Sequence, residues 1–287
     1  MNYRHAYHAG NFADVLKHVV LAQVIEHLKR KPAPFRVIDT HAGLGVYDLG
    51  GPEAGKTGEW QDGIGRIWQS DPPGRLADIL EPYIGVISRL NAQGSLRLYP
   101  GSPLIAHALM RSNDVLIANE LHPADRATLE ETLGGAGNAK VLGLDAWVAV
   151  KSLLPPKERR GLILVDPPFE EPDELGRIIA GLANAGRRFA TGVYMVWYPI
   201  KDLPPIMAFH ARLAGLGLEK VVAVDLVVDR PSATDRLNGC GIVIVNPPFG
   251  LLPHLMDALP WLTARLARSA DAHFRLQSLG AETLPTA

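Results

Sequence analysis

The sequence predicts a doubly wound α/β fold. Three observations carry that prediction. Short apolar runs, each ended by a polar or turn residue, recur over 35–39, 115–119, 140–144, 161–165, 192–197, 219–228 and 241–245. Helical periodicities fall between most of them, and the first run opens directly into a loop of small residues. At 287 residues, 47% of them hydrophobic, the chain is long enough for one full core with a smaller insertion and short for two complete domains.

The first element is a helix over 12–28, where Phe12, Val15, Leu16, Val19, Val20, Val24 and Leu28 recur at three- and four-residue steps and Lys29, Arg30 and Lys31 close it. That spacing predicts an amphipathic helix. After the breakers Pro32 and Pro34, the strand 35–39 runs into Thr40-His41-Ala42-Gly43-Leu44-Gly45, the strand and turn of a nucleotide-type fold. The next strand ends only at Glu120, about 80 positions after Asp39, where a bare strand–helix–strand step takes about 30 residues. An insertion over 47–98 is therefore expected. Trp60, Ile64, Ile67 and Trp68, then Leu76, Ile79, Leu80, Tyr83, Ile84, Ile87 and Leu90, mark two or three short helices in it.

The last two runs are joined by 229–239, a stretch too short and polar for a crossover helix, so they predict an antiparallel hairpin. The sum is six parallel strands with a reversed seventh and a small inserted helical subdomain. This is the class I S-adenosylmethionine methyltransferase variant of the Rossmann-like doubly wound sheet. The expected division is 1–46 for the tail, first helix and first strand, 47–98 for the insertion, 99–268 for the rest of the core, and 269–287 for a weakly apolar tail that frays.

Composition narrows the function. With 29 Lys and Arg against 30 Asp and Glu, the formal net charge is -1, so no global positive field draws in nucleic acid and any such contact is a local patch. One cysteine, Cys240, flanked by Gly239, Gly241, Ile242 and Val243, makes no internal disulfide and reads as a small buried strand residue. A cytoplasmic location follows as an expectation. No uncharged apolar stretch reaches the ~18–20 residues of a spanning helix, and the first residues carry no apolar leader core, so no membrane contact is expected.

The strand 161–165 delivers Asp166-Pro167-Pro168-Phe169 to the carboxyl end of the sheet, where open α/β folds bind ligands. Those residue types suit a base amine. An exocyclic nitrogen is a poor nucleophile because its lone pair is delocalised into the ring, and the Asp166 carboxylate and Pro167 carbonyl can accept its two N–H bonds. Pro167 and Pro168 stiffen the loop, and Phe169 offers a stacking face for an extruded base. The same start recurs in Asp71-Pro72-Pro73-Gly74, without a preceding strand or an aromatic, which is an ordinary turn. Asn246-Pro247-Pro248-Phe249 is the stronger rival, since it follows a strand and also suits amine methylation. If that strand is reversed, its end lies on the opposite rim.

In the first loop, Gly43 stands where backbone must pass close to a ligand, while His41 replaces the first glycine of the methyltransferase pattern and can bond a cofactor carboxylate. Glu120 is placed to accept ribose hydroxyls and Asp145 an adenine amine. Ser102, in Pro100-Gly101-Ser102-Pro103, either caps a helix or reaches the cofactor. The tail Tyr3-Arg4-His5-Ala6-Tyr7-His8 interleaves rings and cations suited to bases and phosphates, or pins the tail to the fold. His5 and His8 lack the spacing and cysteine company of a metal site. Lys17 and His18 contact cofactor or RNA, or form only the polar face of the first helix.

Two other ligand motifs compete. Gly50-Gly51-Pro52-Glu53-Ala54-Gly55-Lys56-Thr57 fits the phosphate-loop pattern in full, which would make a nucleotide triphosphatase. Its context is poor: the residues before it are too few for a buried strand, and Gly58, Gly63 and Gly65 weaken any following helix. A dinucleotide fingerprint fails because Asp48 stands where the third glycine should follow Gly43 and Gly45. A non-enzymatic RNA-binding module would leave the glycine loop, Glu120 and Asp166 with no reason to coexist.

Read together, Tyr3-Arg4-His5, His8-Ala9-Gly10-Asn11, 13–18, Asp39-Thr40-His41-Ala42-Gly43, 99–106, Glu120-Leu121-His122-Pro123 and Asp166-Pro167-Pro168 resemble the RlmJ family of bacterial 23S ribosomal RNA adenine-N6 methyltransferases, nearly end to end. The resemblance implies S-adenosyl-L-methionine as donor, a 23S ribosomal RNA adenine as acceptor, a helical insertion in the sheet, and no metal; a monomer acting before full subunit assembly is expected besides. It carries cofactor contacts onto His18, His41, Ser102, Glu120 and Asp145, catalysis onto Asp166, and a substrate-facing role onto Tyr3; Asp166 is also expected to touch the cofactor, and Arg4 to join the substrate side. Phe169 stands where the family motif often has tyrosine. The residues by themselves leave guanine-N2 against adenine-N6, and DNA against RNA, open.

Overall fold

The computed structural model describes residues 4–231 and 236–282. In these the strands are β1 (Arg36–Asp39), β2 (Val46–Asp48), β3 (Leu98–Pro100), β4 (Val115–Asn119), β5 (Ala139–Leu142), β6 (Gly161–Val165), β7 (Val193–Ile200), β8 (Val221–Val227), β9 (Gly239–Val245) and β10 (His273–Ser278). The helices are α1 (Phe12–Lys29), α2 (Pro52–Thr57), α3 (Ile64–Ile67), α4 (Arg75–Leu90), α5 (Ser102–Leu109), α6 (Pro123–Thr132), α7 (Ala146–Leu153), α8 (Glu174–Arg188), α9 (Leu203–Ala214) and α10 (Leu251–Leu266).

The main sheet runs β10-β8-β9-β7-β6-β1-β4-β5. Pairing is parallel from β7 through β6, β1 and β4 to β5, and β9 lies antiparallel between β7 and β8. Six strands therefore share one direction and the seventh is reversed, as the short polar 229–239 link requires. Every residue of β6, β8 and β9 is buried, because helices cover both faces. One face carries α1, α4, α5 and α10, and the other α7, α8 and α9. The chain leaves β1 towards β4 on one side and returns to β6 on the other, which sets a topological switch point between the carboxyl ends of β1 and β6.

Two expectations are corrected. The helix α1 is not amphipathic towards solvent: Asp14, Lys17, His18 and Gln23 are as buried as its apolar residues. The reason is the insertion, whose α4 packs on α1 beside α5 and α10 and closes the side that would face water. Gln23 is satisfied there by donating to the Ile79 carbonyl of α4 at 2.6 Å. The tail, expected to fray, instead forms β10, an eighth strand antiparallel to β8. Phe274 and Leu276 alternate inward onto the core, and Arg275 reaches the buried Asp225 of β8 at 3.3 Å, so a short edge strand replaces an open one.

The insertion also holds a feature that periodicity did not show, the two-stranded ribbon of β2 and β3, which closes its two ends on each other. The phosphate-loop pattern falls in the six-residue α2 behind this ribbon and not behind a strand of the main sheet. Its Thr57 hydroxyl donates to the Tyr7 carbonyl, and Lys56 lies 5.8 Å from the Tyr7 ring centroid. Among the described residues no helix is long and apolar enough to cross a membrane.

At the sheet centre, Gly161 opens β6 against β1, and a Cβ there would stand 2.4 Å from the Arg36 carbonyl oxygen. Backbone cannot yield as a side chain does. Gly161→Ala is therefore expected to lower stability by about 1–3 kcal/mol, read as a lower urea midpoint at unchanged slope. An unchanged midpoint would contradict the close strand approach.

Candidate active site

A cavity of about 550 Å³ opens at the carboxyl rim beside the switch point, a volume suited to a small-molecule ligand. It is built by the loops that follow β1, β4, β5 and β6 together with the start of α5 and the first half of α1. Of the residues expected at a site, the cavity brings together His18, His41, Gly43, Ser102, Glu120, Asp145, Asp166 and Pro167. Phe169 does not line it. Arg4 lies in an adjoining cleft, 3.8 Å from Asp125, and Tyr3 is outside the described residues.

The wall nearest α1 is an ion chain, buried at Asp14 and Lys17 and half-buried at Asp166 and His5. Lys17 Nζ donates to Asp166 Oδ2 at 2.5 Å and lies 2.9 Å from Asp14 Oδ1. Asp14 Oδ2 accepts from the Gly10 amide at 2.8 Å and bonds His5 Nε2 at 2.9 Å. Burial alone would lower the Lys17 ammonium, but the two carboxylates overcome it and hold the group well above its ordinary value. Burial likewise opposes the Asp14 carboxylate, and His5, Lys17 and His18 hold it well below the usual range. Both charges are thereby fixed. From sequence Lys17 was read either as a contact to cofactor or RNA or as part of the polar face of the helix, and its bond to Asp166 was not anticipated. The signal for more was Asp14, Lys17 and His18 at helical spacing in the otherwise apolar first half of the helix, 12–22.

The next wall is polar and tightly bonded. His18 Nδ1 bonds the Tyr99 hydroxyl at 2.8 Å, and Tyr99 bonds Tyr83 at 3.0 Å. His18 Nε2 is buried with no hydrogen-bond partner among the described residues, and burial pushes this imidazole down to about 3. Ser102 is the first residue of α5, whose cap is Gly101, and its hydroxyl donates to Asp39 Oδ2 at 2.6 Å. Asp39, not singled out from sequence, is pushed up to about 6 by burial despite that bond. His41 is lowered to about 4 by burial, with Nδ1 on the Thr40 hydroxyl at 2.8 Å.

The far wall is Glu120 and Asp145. Glu120 accepts from the Gly43 amide at 2.9 Å and the His122 amide at 2.8 Å, which ties the glycine loop to the end of β4. Burial raises its pKa. Asn119 donates to the carbonyls of Thr40 and Leu144 and accepts from the Leu144 amide, so the loops after β1 and β5 are clamped through one side chain. Asp145 caps α7 through the amides of Trp147 and Val148. Leu121 and Leu144, 49% and 39% exposed, present apolar surface in the same wall.

The rival tetrapeptide is elsewhere. β9 is reversed, so Asn246 sits at the amino rim, where its amide donates to the carbonyls of Ala190 and Gly192, and Phe249 is 90% exposed. Phe169 instead packs edge-on against Trp197 at 5.7 Å, half-buried, with φ 54. A left-handed backbone at a bulky residue is strained and marks a loop held by its surroundings.

Comparison with known proteins places this arrangement. The family model "Ribosomal RNA large subunit methyltransferase D, RlmJ" matches residues 32–278. This chain belongs to the RlmJ family. Two curated relatives, both named "Ribosomal RNA large subunit methyltransferase J", are similar over almost their whole length. The Escherichia coli (strain K12) protein is 42% identical over 273 residues, covering 95% of this chain and 96% of that one. The Haemophilus influenzae protein is 41% identical over 269 residues, covering 93% and 94%. A crystal structure of the Legionella pneumophila protein LPL1258 is 32% identical, with a TM-score of 0.86 over 96% of this chain and 99% of that one. The RlmJ-family assignment makes this chain a methyltransferase of the doubly wound class that its sheet order already describes.

Burial of neutral His18 gives this RlmJ-family chain an acid sensitivity of known sign. The folded imidazole titrates at about 3 against the ordinary 6.5, so at neutral pH its full contribution is present. As pH falls through 6.5 the unfolded chain takes up a proton that the folded one refuses, and stability declines by about 1 kcal/mol per pH unit. His41 adds in the same direction and His8, raised mainly by Glu59, opposes it. Denaturation of His18→Gln between pH 6.5 and 4.5 is expected to show a slope shallower by about that amount. Parallel slopes would mean that His18 is not buried neutral.

Proposed function

We propose that the chain transfers the methyl group of S-adenosyl-L-methionine to the N6 amine of an adenine in 23S ribosomal RNA, acting as a cytoplasmic monomer on RNA that is not yet fully assembled into the subunit. The observation that carries this reading is Asp166 and Pro167 at the carboxyl end of β6, in the cavity wall, with Asp166 Oδ2 anchored by Lys17. The names of the relatives supply the ribosomal substrate.

The cavity fits the donor. His18 Nε2, orphaned and buried in the wall, needs a polar ligand atom, and Ser102 and His41 line the same cavity and suit the amino-acid end. Each Glu120 oxygen retains a lone pair after its amide bond and suits the ribose hydroxyls. Asp145 and the apolar Leu121 and Leu144 suit the adenine. When bound, the cofactor supplies the activated methyl group.

The residues then act as follows. Asp166 and the Pro167 carbonyl accept the N–H bonds of the target amine and localise its lone pair towards the donor side. Lys17 stays a cation throughout, so it positions Asp166 and does not take the proton. As the amine nitrogen bonds the methyl carbon the carbon–sulfur bond breaks and S-adenosylhomocysteine leaves, and the proton shed by the methylated amine passes to solvent water. Phe169, Arg4 and Tyr3 belong to the substrate side in this reading, the ring stacking on the extruded base. Flipping needs access to the base, which favours protein-free RNA over assembled subunits.

Incubation of protein-free 23S ribosomal RNA with the donor, followed by nucleoside mass spectrometry, is expected to yield N6-methyladenosine. N2-methylguanosine in its place would move the chain to the other amine chemistry. In single-turnover assays Asp166→Ala is expected to lose about a hundredfold or more in rate with the fold intact. Asn246→Ala should cost only about 1 kcal/mol of stability. The reverse pattern would overturn the site.

A further inference from the structure

The carboxyl rim carries opposite charge on its two sides. Beside β6 the cavity mouth is acidic, with Asp145, Glu170, Glu171 and Glu174 against Arg177. On the other side α10 runs back to the rim, because β9 is reversed, and its end docks where β8 finishes: the Arg268 amide donates to the Val228 carbonyl at 2.7 Å. Arg66 of α3 joins it by donating to the carbonyls of Ala267 at 2.6 Å and Arg265 at 3.4 Å. Arg236, on the β8–β9 link, lies 3.9 Å from Asp229.

How these cations are held is informative. Arg268 lies over the Phe12 ring at 5.1 Å and Arg265 over Trp261 at 5.3 Å, so aromatic shelves fix their planes without cancelling their charge. Arg268 Nε is buried with no hydrogen-bond partner among the described residues. The carboxylates nearby are already engaged, Asp62 with Arg66 at 2.7 Å and Glu59 with His8 and Asn11. Burial and the like charges of Arg236 and Arg66 work against the Arg268 guanidinium, partly offset by Asp62 and Glu59. Arg66 is paired with Asp62 and Arg236 lies near Asp229, whereas Arg265 and Arg268 rest on rings with no carboxylate within 4.0 Å among the described residues, so the cluster keeps an excess of positive charge.

The place fits a phosphate chain. Phe12, under Arg268, and Lys17, bonded to Asp166, are five residues apart on α1, about 8 Å along the helix axis. The two side chains leave the helix about 140° apart, so a strand with its base at Asp166 would have to turn across the N-terminal end of α1 to carry its flanking phosphates to the arginines. We propose that Arg236, Arg265 and Arg268, with Arg66 bracing them, form the phosphate track of the RNA substrate, so that the strand reaches the site from the α10 side and avoids the acidic Glu170 and Glu171 side. This rests on the RNA reading above.

The test is binding of protein-free 23S ribosomal RNA across a salt series. For Arg236→Gln/Arg265→Gln/Arg268→Gln the affinity is expected to fall tenfold or more at moderate salt, and the slope of log affinity on log salt to become shallower by about 2. Calorimetric binding of S-adenosylhomocysteine should stay as in the unmodified chain. If the triple variant unfolds, Arg236→Glu/Arg265→Glu, both at exposed positions, is expected to give the same loss, and Glu170→Gln/Glu171→Gln no loss. Unmodified protein that binds this RNA, with arginine variants of equal affinity and slope, would overturn the track alone. Unmodified protein that neither binds nor methylates the RNA would overturn the RNA reading and the track with it.

Discussion

A buried carboxylate and ammonium, Asp14 and Lys17, meet the half-buried Asp166 where the first helix reaches the end of β6, and the rest of the site is arranged around them. Removing such charges from water costs several kcal/mol per ion and is offset only by close pairing. Lys17 provides that pairing, at 2.5 Å to Asp166 and 2.9 Å to Asp14. The chain needs a dry setting, and α4 of the insertion, packed on α1 with α5 and α10, supplies it. The insertion thus contributes to the position of a carboxylate that it does not touch. Through His5 on Asp14, the same chain also ties the N-terminal segment to the cavity.

Around this fixed point the switch in strand order does the remaining work. Asp39 and Asp166 end neighbouring parallel strands, so the loops that follow must part, and the gap between them is the cavity. Asn119 and Glu120 at the end of β4 bind those loops back to each other through their amides and carbonyls. The walls are in place because buried side chains at the end of β4 are bonded to backbone amides and carbonyls of the neighbouring loops. Such preorganisation lets hydrogen-bond acceptors stabilise a reacting amine without reorganisation at the moment of transfer.

The periodicity of apolar runs made all seven strands of the core legible, and the polar 229–239 link even made the reversal of β9 legible, because both follow from local sequence alone. Asp166, Glu120 and the Gly43 loop were legible because strand ends in this topology are where ligands bind. What was not legible depends on distant partners. The burial of Asp14 and Lys17 was not legible, because it depends on α4, some 60 residues on, packing against α1. Asp39 was read as the end of a strand, and its partner Ser102 is reached only across the insertion. β10 was hidden because Phe274 and Leu276 are too few to mark a strand without β8 beside them.

The central claim is that Lys17 and Asp166 act as one unit on the target amine, and a double-mutant cycle on the single-turnover rate of methyl transfer to protein-free 23S ribosomal RNA tests it most directly. Lys17→Met and Asp166→Ala should each lose about a hundredfold, and the double variant should lose little more than the worse single one, since groups that act together are strongly non-additive. Far-ultraviolet circular dichroism on the same samples establishes that each variant is folded. A folded Lys17→Met chain with the unmodified rate, or losses that multiply in the double variant, would contradict the account.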